Sequence, residues 1–150
     1  LPPEQRRRVE HVREAGGHLL AMIRDLLDVA RAEAGHLHVE PQPVALAQPL
    51  AEAVAIVQPI ADTAGLSLQF AAAQVPAQPV RADPLRLRQV AVNLLGNAIK
   101  YNRPRGRIAL SAAPAEGGVE IVVADTGEGM SPAQLERLFR PFERVGRERS

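Results

Sequence analysis

The sequence predicts an α+β chain: a long N-terminal helix of the coiled-coil or bundle kind, then an open sheet covered by helices on one face. Three observations predict it. Residues 4–34 hold an apolar repeat with alternating spacings of three and four. Two later segments, 46–64 and 83–101, have the length and apolar striping of packed helices. Short alternating apolar runs bounded by proline and glycine lie around those segments and read as strands.

In the first helix the repeat falls on Val9, Val12, Gly16, Leu19, Ile23, Leu26 and Ala30. Leu20 and Leu27 widen that seam towards a bundle, and Gly35 suits a stop just past the last turn. A single helix cannot bury such a stripe, so it needs another helix or another chain. Arg6, Arg7 and Arg8 read as a solvated face near the helix start, because arginines without interleaved aromatics make a poor nucleic-acid site.

Leu37 to Glu40 reads as a short strand and Pro41-Gln42-Pro43 as a linker, the best candidate for a domain boundary. The sequence thus divides into residues 1–36 and residues 37–150. The second helix, Leu46 to Ala64, places Leu50, Val54, Val57 and Ala61 on one side. Pro49 falls in its first turn, and Pro59 is expected to kink or shorten it. Leu66 to Phe70 and Val80 to Ala82 read as strands, with a proline-rich loop between them. Arg107 to Ala113 and Gly118 to Ala124 read as a hairpin around Pro114 to Gly117. Ser131 and Pro132 start a short helix reaching about Phe139.

Composition removes several function classes. The sequence has no cysteine, so disulfides and thiolate metal sites are excluded. A formal net charge of +1 gives no general case for nucleic-acid or membrane binding. No apolar run spans a membrane and no signal peptide is visible, which points to the cytoplasm; any membrane link would lie in other parts of a longer protein.

The chemistry-bearing stretch is Gln89 to Asn102, QVAVNLLGNAIKYN. Asp83 caps its helix and Pro84 suits the first helical position. Leu87, Val90, Ala91, Leu94, Leu95, Ala98 and Ile99 make a broad apolar arc, while Asn93, Asn97 and Lys100 share a narrow polar stripe. Amide oxygens can ligate a hard cation and a lysine can meet a phosphate. A solvated face of a core helix fits the same pattern. Lys100 is the sequence's one lysine.

Downstream lie VEIVVADTGEGM (Val119 to Met130) and LFRPFERV (Leu138 to Val145). In the order NLLGNAIKYN, DTGEGM, LFRPFERV, the three stretches resemble the N box, first glycine box and F box of the ATP-binding domain of bacterial sensor histidine kinases. The resemblance covers almost the whole chain. It implies that residues 4–34 are the second helix of a dimerisation and phosphotransfer hairpin, hence a homodimer. It implies that the remainder is an α/β sandwich with a mixed sheet, of the gyrase and Hsp90 type, binding ATP and Mg2+. By position, Asn97 matches the magnesium ligand and Asn93 the upstream asparagine near the phosphates. Lys100 and Tyr101 match the residues that contact phosphate and nucleotide, and Asp125 the acceptor of the adenine amino group. Gly127 and Gly129 match the adjoining turn, and Phe139 and Phe142 the entrance to the ATP lid. The implied partner is a response-regulator receiver domain.

Two departures from the family pattern stand out. The phosphoacceptor motif is absent: His11, His18, His36 and His38 read as solvent-facing. The sequence also ends inside what would be the ATP lid, so the sheet is expected to be incomplete and this chain inactive by itself. Glu128 stands where the family usually has an apolar residue. Two alternatives stay open at this point: a non-kinase ATP-binding protein of the same sandwich, and a non-enzymatic dimerising module. The heptad helix, and Asn93 where gyrase-type ATPases place a glutamate base, argue against the first.

Overall fold

The computed structural model describes residues 1–35 and 38–137. They fall into two units, one up to His38 and one from Val39 onward.

The first unit is a single helix, α1 (Pro3–Glu33), with Pro3 in its first turn and Glu4 placed well for the helix dipole. It buries none of its residues. An exposed Glu4–Arg8 pair at 3.3 Å adds little to its stability.

The second unit runs β1 (Gln42–Val44), α2 (Ala47–Thr63), β2 (Ser67–Phe70), a 3-10 turn (Ala72–Gln74), β3 (Val80–Ala82), α3 (Pro84–Lys100), β4 (Arg107–Ala115), β5 (Gly118–Asp125) and α4 (Pro132–Arg137). Its strands form two ladders. β1 pairs antiparallel with β3, with Val44 opposite Val80. The mixed sheet has the order β2-β4-β5: β2 runs parallel to β4 from Ser67 opposite Arg107, and β4 is antiparallel to β5 from Ile108 opposite Asp125.

The core follows from the sequence periods. α2 contributes Leu50, Ala53, Val57 and Ala61; α3 contributes Ala91, Leu95, Ala98 and Ile99; β4 contributes Ile108 and Leu110. Val119, Ile121 and Val123 of β5 pack against that cluster at the strand period of two. Among the described residues the core holds no polar or charged side chain. α2 ends at Gly65 with φ 72°: Leu66 N–H donates to Ala61 O and Gly65 N–H to Asp62 O, closing the last turn.

Five expectations change. The first strand lies at Gln42–Val44, on the segment read as a linker, and residues 38–40 are not strand. The reason is its partner: pairing with β3 selects the stretch whose Val44 can be buried. Pro59 does not shorten α2, which continues to Thr63, where the hydroxyl donates to Pro59 O at 2.9 Å. Pro114 belongs to β4, opposite Val119, and the hairpin turn shrinks to Glu116-Gly117. The single open sheet is two ladders. The apolar arc of α3 is wider than the face it buries, since Val90 is 54% and Leu94 48% exposed. Helix α3 packs through the stripe 91, 95, 98, 99, which leaves its other side to solvent.

Candidate functional site

Helix α3 is held at its start by Asp83. One carboxylate oxygen accepts from Leu85 N at 3.0 Å and Arg86 N at 3.2 Å, and the other from Glu40 N at 2.9 Å. The Glu40 N–H bond, followed by those from Arg86 and Leu85 and the nearby Arg86 charge, outweighs desolvation and holds this carboxyl below its ordinary pKa. Arg88 bonds Glu52 of α2 at 3.2 Å, fixing α3 against its neighbour.

With the helix so placed, Asn93, Asn97 and Lys100 lie exposed along one edge. Val90 and Leu94 form the next row, so amides and an ammonium border an apolar strip. No hydrogen bond engages the Asn93 or Asn97 side chain among the described residues, which leaves both amide oxygens open to a ligand. The Lys100 ammonium stands 5.3 Å from the centre of the Tyr101 ring.

The second half of the site is the end of β5. Asp125 is exposed, and its Oδ1 accepts from Gly127 N at 2.7 Å. This short-range bond closes the turn and leaves Oδ2 without a partner among the described residues. A Cβ on Gly127 would lie 2.6 Å from Tyr101 O. The chain can therefore pass this close to the end of α3 only at a glycine. That contact brings Asp125 and Gly127 beside Tyr101. Gly129 has φ 75° and no such neighbour, so its role is conformational.

Tyr101, Gly127 and Asp125 are thus drawn together, and Lys100, Asn97 and Asn93 lie along the exposed edge of the helix that Tyr101 caps. Phe139 and Phe142 lie outside the described residues, as do His36 and the last part of the helix expected to reach Phe139. His11, His18 and His38 are exposed. α4 opens with a reciprocal cap, Gln134 N–H to Ser131 Oγ at 3.2 Å and Ser131 N–H to Gln134 Oε1 at 2.9 Å.

Sequence reading missed the joint between the two halves. Thr126 Oγ1 accepts from Arg107 N at 2.9 Å and donates to Asn102 Oδ1 at 3.0 Å, while Asn102 Nδ2 donates to Arg107 O at 3.2 Å. Its signal was faint: two small polar residues, each directly after a motif residue.

The group the resemblance implies is a magnesium–nucleotide. The donors present fit it: open amide oxygens and an ammonium on one edge suit a hard cation and phosphates, and an open carboxylate oxygen suits an amino-group donor.

Residues 82–150 match the family of histidine kinase-, DNA gyrase B-, and HSP90-like ATPases. The histidine protein kinase DivJ of Caulobacter vibrioides is 37% identical over 137 residues, 91% of this chain and 23% of that protein. The chain thus spans under a quarter of that relative's length. The crystal structure of full-length ShkA in complex with AMPPNP is 36% identical with TM-score 0.73, over 89% of this chain and 28% of that one. The fold is also that of the histidine kinase ThkA, solved in complex with the response regulator TrrA, at 18% identity and TM-score 0.73 over 96% of this chain and 42% of that one. Over most of its length the chain is thus similar to a part of the histidine protein kinases, and its residues 82–150 to the histidine kinase-, DNA gyrase B-, and HSP90-like ATPases.

Proposed function

We propose that residues 37–150 bind a magnesium–adenine nucleotide between the exposed edge of α3 and the end of β5, as the ATP-binding part of a sensor histidine kinase. The observation that carries this reading is the approach of Gly127 to Tyr101 O, which sets the Asp125 carboxylate beside the helix end that bears Lys100. Asp125 Oδ2 accepts the adenine amino group. The Val90 and Leu94 strip offers apolar surface to the base and ribose. Lys100 and Tyr101 meet phosphate and nucleotide, and Asn97, with Asn93 beside it, ligates the cation. Magnesium bound there neutralises phosphate charge; the residues of this chain supply position, which is most of what phosphoryl transfer requires.

In the whole protein the γ-phosphate would pass to a histidine on another helix and then to a response-regulator receiver domain. ThkA's capture with its regulator supports that partner. Residues 1–36 serve as the second hairpin helix and dimerise through the seam of residues 4–34. A cytoplasmic location suits that role; among the described residues no helix is long and apolar enough to cross a membrane.

The test is calorimetric titration with ATP and GTP. Wild type should prefer ATP. Asp125→Asn, which removes the charge and makes the acceptor ambiguous, should lose about 1–3 kcal/mol of ATP affinity with little change for GTP. Equal affinity of wild type for both nucleotides would contradict the assignment.

A further inference from the structure

We propose that Asn102 and Thr126 are positioning residues for the nucleotide site: with the backbone of Arg107 they form a hydrogen-bonded ring that sets the end of α3 and the end of β5 at one fixed spacing. The proposal deepens the nucleotide reading and rests on it.

The ring is closed. Arg107 N–H donates to Thr126 Oγ1, the Thr126 hydroxyl donates to Asn102 Oδ1, and Asn102 Nδ2 donates back to Arg107 O. Thr126 N–H also donates to Arg107 O at 3.2 Å, and Arg103 N–H to Asn102 Oδ1 at 2.9 Å. The threonine hydroxyl is used as donor and as acceptor, so no apolar isostere can replace it.

Position in the chain gives the ring its consequence. Asn102 directly follows Lys100 and Tyr101, and Thr126 lies between Asp125 and Gly127. The ring therefore joins the phosphate-side residues to the adenine-side residues through two side chains that need not touch a ligand themselves. Two further features show how tightly this corner is built. Gly106 has no room for a Cβ, because the Asn102 side chain occupies that space and Thr126 Oγ1 lies 2.7 Å away. Arg105, one residue earlier, adopts φ 58°, a left-handed backbone that a non-glycine residue holds only where its surroundings impose it. The connection from α3 to β4 is thus forced into one path, and the ring is what it is forced around.

The experiment compares Thr126→Val, Thr126→Ser, Asn102→Ala and the Thr126→Val/Asn102→Ala double variant in the full 150-residue chain. Valine keeps the shape and deletes the hydroxyl; serine keeps the hydroxyl. Two quantities are read well below the melting temperature: affinity for Mg-ATP by calorimetry, and amide hydrogen exchange at Gly127 in the nucleotide-free chain. Thr126→Val and Asn102→Ala should each weaken ATP binding about tenfold and speed Gly127 exchange. Thr126→Ser should restore both, and the double variant should lose little more than either single one, because each breaks the same ring. A general loss of stability would not be rescued by serine, nor give that non-additivity. Thr126→Val with unchanged Gly127 exchange, or with unchanged ATP affinity, overturns the proposal. A wild-type chain that binds no ATP sinks the nucleotide reading and with it the site role; Gly127 exchange in the variants then decides whether the ring holds the two ends together at all.

Discussion

Gly127 shows what a single missing methyl does in this molecule. A Cβ there would meet Tyr101 O at 2.6 Å and Asp125 Oδ1 at 2.9 Å, and the first of these is backbone that cannot swing away. Gly127→Ala should therefore push β5's end from α3, costing about 1–3 kcal/mol by overpacking, and should weaken nucleotide binding with it; thermal melts and ATP titration read both. Arg105 is the converse case, since its left-handed backbone is strained for an arginine. Arg105→Gly should relieve that strain and stabilise by up to about 1 kcal/mol, the chain entropy of glycine taking back part of the gain; a lower melting temperature would show that the arginine side chain matters more than its backbone. At this scale the sequence foretold the glycine-bearing turn after β5, which the Asp125–Gly127 bond closes. It was silent on Asn102 and Thr126, because their partners lie 24 positions apart and no periodicity links a helix end to a strand end.

At the scale of elements, helices were the most legible parts. The ends of α2 and α3 agree with the sequence reading to within a residue or two, since long apolar stripes and the cap at Asp83 are local signals. Short strands were not local: β1 is three residues whose place is chosen by its pairing with β3. Asp83 joins these two levels, capping α3 with one oxygen and holding Glu40 N–H with the other. Its pKa is depressed, so the stabilisation is fully present above the ordinary carboxylate range and is lost as the pH falls through and below that range. The melting temperature of wild type should accordingly drop in acid. Asp83→Asn should flatten part of that slope while keeping much of the cap, and Asp83→Ala should lower the melting temperature at neutral pH as well. An identical acid slope in wild type and Asp83→Asn would assign the acid sensitivity to other carboxylates. Deeper in the same unit, Leu95 is fully buried between α2 and the sheet. Leu95→Ala should cost about 2–5 kcal/mol, measurable by urea denaturation.

At the scale of the whole molecule, the two units solve the problem of burial differently. The second unit buries a core among its own α2, α3 and strands, and that core is free of polar side chains among the described residues. The first is one helix that leaves every seam residue in solvent: Val12 is 72% and Leu19 59% exposed, and Val9, Ile23 and Leu26 are exposed as well. Burying a side chain of this kind contributes about 1.5–3 kcal/mol, so five such positions on each of two helices favour association strongly enough to offset the entropy of bringing two chains together. The seven-residue spacing is what carries this expectation, because it keeps the seam on one side over the full length of the helix. The expected outcome is a wild-type chain that sediments as a dimer at micromolar concentration. Leu19→Asp with Ile23→Asp places two carboxylates per chain in the seam, where an unpaired buried charge is strongly unfavourable. That variant should sediment as a monomer while the melting of the second unit stays unchanged, since its core contains no residue of α1. A wild-type chain that remains monomeric at high concentration would end the case for the seam as a self-association surface; loss of the second unit's melting transition in the double variant would show that the two units depend on each other for stability.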